Sequence, residues 1–434
     1  MTRIVGIFTD SFPSTALATS PLATLQGFTG QRGHILIVDE AGPVVYVGLG
    51  VREGWRPEDG FVALQGLSRL RADEATCDAT DLIAALVSVT DEESAREIVG
   101  IGLALALPGS APDVGTAGVI AATIERARRW TNAESAVMNP SAFVAEARQV
   151  AHDEGLSCVV LAGDELRDRG FGAIHGMGSG SPYPPALVDL TYRPAAPRAR
   201  ITLVGKGVTF DTGGLSIKSA AAMATMRLDK CGAATVLAAM TALRSLDVAV
   251  EVRALLPVIE NMIGPGSLRP GDTVTAWNGT RIQVMDTDFE GRVILADALA
   301  YAAADEPDLV IDIATLTYQV VAALGPEIGG LFTRDDATAQ QLTRAAFRAG
   351  EPVWRLPYDE RYLDQVLVPG GVKNHPETDS GRAITAALFL GQFVPAATAW
   401  AHLDITGPAW TGPASGAGAT GFGVRTLLSL LRSL

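Results

Sequence analysis

Cysteine, histidine and positive charge are all scarce in this chain. Three cysteines in 434 residues, Cys77, Cys158 and Cys231, are odd in number and widely separated, which excludes a disulfide framework and a paired-cysteine metal site. That usage fits a reducing compartment. Lys and Arg number 34 against 48 Asp and Glu, a formal charge of -14, which disfavours nonspecific nucleic-acid binding because phosphate contacts need basic surfaces. The N-terminal "MTRIVGIFTDSFPSTALATS" lacks a basic segment leading into an apolar one, so no signal peptide is expected. Residues 383–401, "AITAALFLGQFVPAATAWA", carry no charge but contain Gln392 and Pro395. A buried helix broken at Pro395 and a strand through "AHLDI" account for them better than a membrane span. The expectation is a cytoplasmic protein with no membrane partner.

Apolar residues are abundant, at 48% against 19% charged, which places the chain among globular proteins with a large core. The first part alternates strand patterns ("RIVGIF", "HILIVDEAGPVVYVGL", "EIVGIGLALAL") with helical ones ("ATDLIAALVSV", "GVIAATIERARRW"), an α/β signature. "HILIVDEAGPVVYVG" reads as a hairpin turning between Glu40 and Pro43. From Ile201 the strands become uniformly apolar ("ITLVG", "VEVRALLPVI", "DLVIDIA") and alternate with Ala/Leu helices, the pattern of a sheet covered on both faces. A domain boundary is placed near residues 130–140.

Within this apolar background "MDTDFEGR", residues 285–292, stands out. Asp286, Asp288 and Glu290 occupy alternate positions, which in an extended chain share one side. Carboxylates so close raise one another's pKa unless a positive group lies among them. An acidic run in a chain of charge -14 has an ordinary reading as a solvated loop. Its neighbours argue otherwise, because it runs straight into the almost uncharged helical pattern "RVILADALAYAAA".

Two further charged clusters accompany it. In "LVGKGVTFDTGGLSIKS", residues 203–219, Lys206 lies between glycines, Asp211 precedes Thr-Gly-Gly, and Lys218 follows. The lysine comes before the glycine pair, so this is not a phosphate-binding loop. In "MRLDKCGAATVLAAM", Asp229 lies just ahead of a helix, where a capping role is the plain alternative. All three clusters fall at expected strand ends or helix starts, where open α/β sheets carry their sites. Carboxylates sharing a pocket suit a pair of divalent cations that activate a water, and an oxygen-dominated set accepts Mg or Mn as readily as Zn. No histidine is near these clusters in sequence. The residues by themselves thus indicate a dinuclear-metal hydrolase and do not identify a lysine ligand.

"VGKGVTFDTGGLSIK", the Asp229 segment and "DTDFEGRVILADAL" resemble, in content and spacing, the signature blocks of the leucyl (cytosol) aminopeptidase family of dinuclear-metal exopeptidases. "DIATLT", "VWRLPYDERY", "AITAALFL", "WAHLDITG" and "GATGFGVR" follow in the same order, so the resemblance runs from about residue 125 to the C-terminus. It implies a smaller N-terminal α/β domain, residues 1–130, serving assembly or access. A catalytic domain, residues 131–434, would follow, with a central mixed sheet flanked by helices. By the same resemblance, Asp211 and Glu290 bridge two metals (zinc or manganese, with magnesium or cobalt as further candidates). Lys206, as a neutral amine, and Asp229 complete the tighter site, and Asp288 completes the exchangeable one. Lys218 stabilises the oxyanion, and Arg292 holds a bicarbonate acting as general base. Met226, Thr315, Leu316 and Tyr318 border the pocket for the first side chain of a peptide substrate, and a homohexamer is implied.

Departures from the family pattern are local. Asp286 stands for an asparagine, Phe289 for an alanine, Tyr318 for a glycine and Cys231 for a small residue. Phe289 is expected in core packing, and Cys231 as a small buried thiol. Tyr318 should reshape the pocket towards small or polar N-terminal residues. "HPETDSGRAITAA" is shorter and more polar than expected, which points to an altered mouth. A narrow-specificity dipeptidase or amidase using the same site is the nearest rival reading. A non-catalytic scaffold or DNA-binding accessory role is disfavoured by the net charge and the complete set of chemical residues.

Overall fold

The computed structural model describes residues 2–434 apart from 21–22, 24–25, 40–42, 70–76, 107–114 and 413–416. The chain divides into two compact units, Met1–Glu125 with Ala345–Glu351, and Arg126–Arg344 with Pro352–Leu434.

In the first unit β1 (Thr2–Phe8) runs parallel to β3 (Pro43–Gly50) and β4 (Cys77–Asp78), while β2 (Ile35–Asp39) pairs antiparallel with β3. β2 and β3 are the arms of the expected hairpin, with Ile35 opposite Val47; its turn at 40–42 lies outside the described residues. "EIVGIGLALAL" is a correction, since all but its last residue belongs to the helix Glu92–Ala106 instead of a strand. An apolar run this short does not distinguish the two by periodicity. The deciding signal lies upstream, where the Asp91 carboxylate accepts from Ser94 N at 2.8 Å and Glu92 and Glu93 fill the first turn.

The second unit is built on β5 (Ser157–Ala162), β6 (Ala186–Tyr192), β7 (Arg200–Gly205), β8 (Gly207–Asp211) and β9 (Glu251–Asn261). Next come two short strands, β10 (Thr273–Thr275) and β11 (Arg281–Gln283), followed by β12 (Leu309–Ala314), β13 (Gly329–Phe332) and β14 (Val353–Arg355). β15 (Leu367–Val368), β16 (Gly371–Lys373) and β17 (Trp400–Asp404) complete the set. The main sheet has the order β14-β13-β17-β12-β7-β9-β6-β5, with β8 on β9. β7 is parallel to β9 and β12, and β12 to β17; β5–β6, β6–β9 and β13–β17 are antiparallel. This is the mixed sheet expected. The short strands form a second sheet, β10-β11-β16-β15.

Two helices, Cys231–Met240 and Glu290–Ala303, pack against β7, β9 and β12, and almost every residue of both is buried. Val204, Leu255, Ile294, Leu295, Val310 and Trp400 share one core. The uniformly apolar strands are therefore explained by cover, and burying their side chains is what drives the layers together. Among buried charges, Asp312 in β12 is matched by His402 Nδ1 at 2.5 Å and Trp400 Nε1 at 2.8 Å. The uncharged stretch forms the helix Arg382–Gly391 followed by β17, and no helix among the described residues is long and apolar enough to cross a membrane. β7, β8, β12 and β17 all deliver charged or hydroxyl residues where they end: Lys206, Asp211, Thr315 and Asp404.

Candidate metal centre

Lys206 leaves the end of β7 and is only 3% exposed. Its Nζ lies 2.8 Å from Asp229 Oδ1 and 2.8 Å from Glu290 Oε1, and donates to the Thr315 carbonyl at 3.0 Å. The stem passes so close to the helix Glu290–Ala303 that a Cβ on Gly291 would lie 2.6 Å from Nζ and 2.5 Å from Cε. A side chain at that position would displace the Lys206 amine. Burial opposes the ammonium, but the carboxylates of Asp229, Glu290 and Asp211 outweigh it and hold Lys206 protonated in the metal-free chain.

Asp211, Asp288 and Glu290 each offer a carboxylate oxygen within 4.8 Å of the others. Lys218 Nζ lies 2.8 Å from Asp211 Oδ2 and also bonds Asp288. Asp229 sits on a single 3-10 turn, Met226–Lys230, and caps nothing; its Oδ1 accepts from Thr315 Oγ1 at 2.7 Å, and its buried Oδ2 has no partner. Burial followed by mutual repulsion raises the carboxyl of Asp288 to about 7 and that of Asp211 above the usual range, while burial raises Glu290. Four carboxylates thus face two ammonium groups, and one buried oxygen is orphaned. Such a set is short of positive charge, and the hard oxygen donors fit divalent cations.

The acidic run is not the extended segment expected: residues 286–289 form a turn, with Phe289 N–H donating to the Asp286 carbonyl at 3.3 Å, and Glu290 begins a helix. The turn removes Asp286 from the cluster. Its Oδ1 accepts from Asp288 N at 2.8 Å, and its other oxygen faces His375 at 3.9 Å. Phe289 is a second correction: its ring packs on Arg292, Arg382 and His375, not in the core. His375 therefore lies beside the acidic turn, and 85 intervening positions hide that proximity in the sequence.

Arg292 is buried, with Nη1 donating to the Asn374 carbonyl at 3.0 Å and Nε unpartnered; burial lowers it to about 10. Among the pocket candidates, Thr315 is buried against Asp229, Leu316 and Met226 are half-buried, and Tyr318 is 72% exposed at the start of the helix Tyr318–Leu324. Cys231 is buried, as expected.

Three supporting residues complete the site, of which Asn261 and Asn374 lie outside every quoted segment while Asp404 falls within "WAHLDITG". Asn261 Nδ2 donates to Asp211 Oδ1 at 2.8 Å and to the Thr287 carbonyl at 3.0 Å, locking β9 to the acidic turn. Asn374 holds the same turn from the other side, accepting from Met285 N at 2.8 Å and donating to the Asp286 carbonyl at 2.6 Å. Asp404 accepts from Thr317 Oγ1 at 2.7 Å and Thr406 Oγ1 at 2.6 Å, fixing the loop that carries Thr315.

Comparison with known proteins agrees with this chemistry. Residues 125–428 match the model of the cytosol aminopeptidase family, catalytic domain. A probable cytosol aminopeptidase of Synechococcus sp. (strain JA-3-3Ab) is 43% identical over 380 residues, covering 84% of this chain and 74% of that protein. Among solved structures, the bottromycin maturation enzyme BotP in complex with Mn superposes with a TM-score of 0.86 at 35% identity, covering 100% of this chain and 99% of BotP. A mutant of tomato leucine aminopeptidase gives 0.87 at 27% identity, covering 100% and 94%. The chain belongs to the cytosol aminopeptidase family and is a metal-dependent aminopeptidase.

Proposed function

We propose that this chain releases N-terminal amino acids from peptides at a centre of two divalent cations held by Asp211, Asp288, Glu290, Asp229 and Lys206. The observation that carries the reading is the convergence of three carboxylates within 4.8 Å, adjoined by Asp229 through Lys206. Zinc and manganese are the metals we favour. Cations bound there would neutralise the carboxylates, polarise the scissile carbonyl and lower the pKa of a water towards about 7. Lys206, once its neighbours' charge is compensated, would give up its proton and join the ligands as an amine.

Around that centre the chain's own groups have distinct tasks. Lys218, 14% exposed and already beside Asp211 and Asp288, would turn its ammonium to the oxyanion developing on the scissile carbonyl. Arg292, with its free Nε, would hold a bicarbonate through two parallel hydrogen bonds, and that anion would accept the proton of the attacking water. Tyr318 lies three residues beyond Thr315, and a tyrosine bordering the first pocket there would favour small or polar first residues. A homohexamer in the cytoplasm, with the N-terminal unit serving assembly or access, completes the proposal.

The test is turnover of the Mn2+- or Zn2+-loaded protein on a panel of aminoacyl-amides, beside Lys218→Ala. The expected result is metal-dependent release of the first residue and a fall in kcat of about 100-fold or more in the variant, with little change in unfolding temperature. An undiminished kcat for Lys218→Ala removes the assigned role, and the absence of release from every loaded sample removes the proposal.

A further inference from the structure

A group of cationic and aromatic side chains lies against the acidic turn, and apart from Arg292 none of it is used by the chemistry above. It is built on Phe289, the chain neighbour of both Asp288 and Glu290. The Arg292 guanidinium carbon is 4.7 Å from the Phe289 ring centre, that of Arg382 is 5.7 Å away, and the His375 ring meets it edge-on at 4.6 Å. Arg292 is buried, whereas the Arg382 side chain is 21% exposed. Arg382 is therefore the cation of the pair that faces solvent beside the metal ligands.

Arg382 is poorly committed to its present partners. Nη2 bonds His375 Nε2 at 3.3 Å and the carboxylate of Asp379, and Nε is buried without a partner. Asp379 is 90% exposed, and an ion pair to so exposed a group is worth little. Burial and the nearby Arg382 charge hold His375 below its ordinary value, so a neutral ring nitrogen accepts from the guanidinium. Phe289 and His375 thus fix the guanidinium in place without neutralising it. Helix Arg382–Gly391 begins at Arg382, and its N-cap, Gly381, supplies no side-chain hydrogen bond, so the cationic end of the helix adds to the same field.

We propose that Arg382, propped on Phe289 and His375, binds a carboxylate carried by the residue that follows the scissile bond. This rests on the aminopeptidase reading of the metal centre. Arg382 is joined to the ligands through a single side chain, because the Phe289 ring 5.7 Å from its guanidinium belongs to the residue between Asp288 and Glu290. A guanidinium beside a planar carboxylate forms charge-assisted, paired hydrogen bonds, and the exposed Asp379 carboxylate occupies that role in the substrate-free chain. The carboxylate has two possible sources, the free C-terminus of a dipeptide or an Asp or Glu side chain at the second position.

The experiment compares kcat/KM on matched pairs with the Mn2+-loaded full chain. Ala-Ala against Ala-Ala-amide reads the C-terminal source, and Ala-Glu-amide against Ala-Gln-amide reads the side-chain source. In at least one pair the carboxylate member should be preferred by about tenfold, mostly through KM. That ratio should collapse towards one in Arg382→Gln and be partly kept in Arg382→Lys. Asp379→Asn, at a position exposed enough to leave the fold intact, should raise the ratio by releasing the guanidinium. A wild-type ratio near one in both pairs overturns the inference, as does a ratio that neither Arg382→Gln nor Asp379→Asn moves. Cleavage of all four substrates at equal rates sinks this inference alone, whereas cleavage of none sinks the aminopeptidase reading itself.

Discussion

Gly291→Ala is the sharpest perturbation the structure offers, because it changes the site without touching a ligand. A Cβ at that position would stand 2.5 Å from Lys206 Cε, 2.6 Å from Nζ and 2.9 Å from Cδ, where ordinary contacts begin near 3.4 Å. Lys206 has to move by about 1 Å to relieve such overlap, and its Nζ has no slack to do so. It sits 2.8 Å from both Asp229 and Glu290, so a shift of that size breaks one or both contacts and leaves buried carboxylates unpaired. Overpacking of this kind costs about 1–3 kcal/mol in folding stability. Displacing a ligand by about 1 Å costs on the order of 100-fold in turnover. The assay is a pair of measurements: urea unfolding of the metal-free protein, and metal-dependent turnover of an aminoacyl-amide. The reasoning is refuted if Gly291→Ala keeps stability within about 0.5 kcal/mol and turnover within a factor of about two.

Two further outcomes follow from buried groups that are not metal ligands. Asp297 accepts from Ile174 N and Trp277 N at 2.8 Å each, yet burial pushes its carboxyl up to about 7. Its unfolded value is about 3.9, so between these limits the native state holds a proton the unfolded chain has lost, and the resulting stability is full below about pH 4 and lost as pH rises through about 7. Between pH 5 and pH 8 the wild type should therefore lose about 2–3 kcal/mol in urea unfolding relative to Asp297→Asn; a constant difference contradicts it. Burial pushes the Cys231 thiol up to about 12, so iodoacetamide at pH 8 should leave it unmodified in the native protein and modify it in urea; rapid native labelling contradicts that.

Much of the centre was legible because its parts are local. Lys206, Asp211, Lys218, Asp229, Asp288, Glu290 and Arg292 all lie in three short segments at strand ends and helix starts, where sheet topology gathers them. The metal-binding chemistry follows from the carboxylates; the proposed ligand role of Lys206 rests on family resemblance, since a lysine among carboxylates is by itself an ordinary ion pair. What stayed hidden is held together by tertiary hydrogen bonds. Asn261 and Asn374 grip the acidic turn from β9 and from beyond β16 with no pattern to announce it, and Asp404, although within "WAHLDITG", gives no sign in the sequence that it fixes the Thr315 loop. The same long-range packing bends residues 286–289 into a turn ahead of the helix Glu290–Ala303, removes Asp286 from the cluster and brings His375 and Arg382 onto Phe289. In the first unit, the run 97–106 is helical because Asp91 starts a helix ahead of it, a capping signal that the apolar pattern obscures.

Anomalous diffraction from crystals soaked in Mn2+ would locate the cations. Two manganese peaks per chain are expected, both among Asp211, Asp229, Asp288, Glu290 and Lys206, with the Lys206 nitrogen in contact with one of them. Peaks elsewhere, a single peak, or Lys206 still paired with Asp229 and Glu290 beside a loaded site would contradict the two-cation centre.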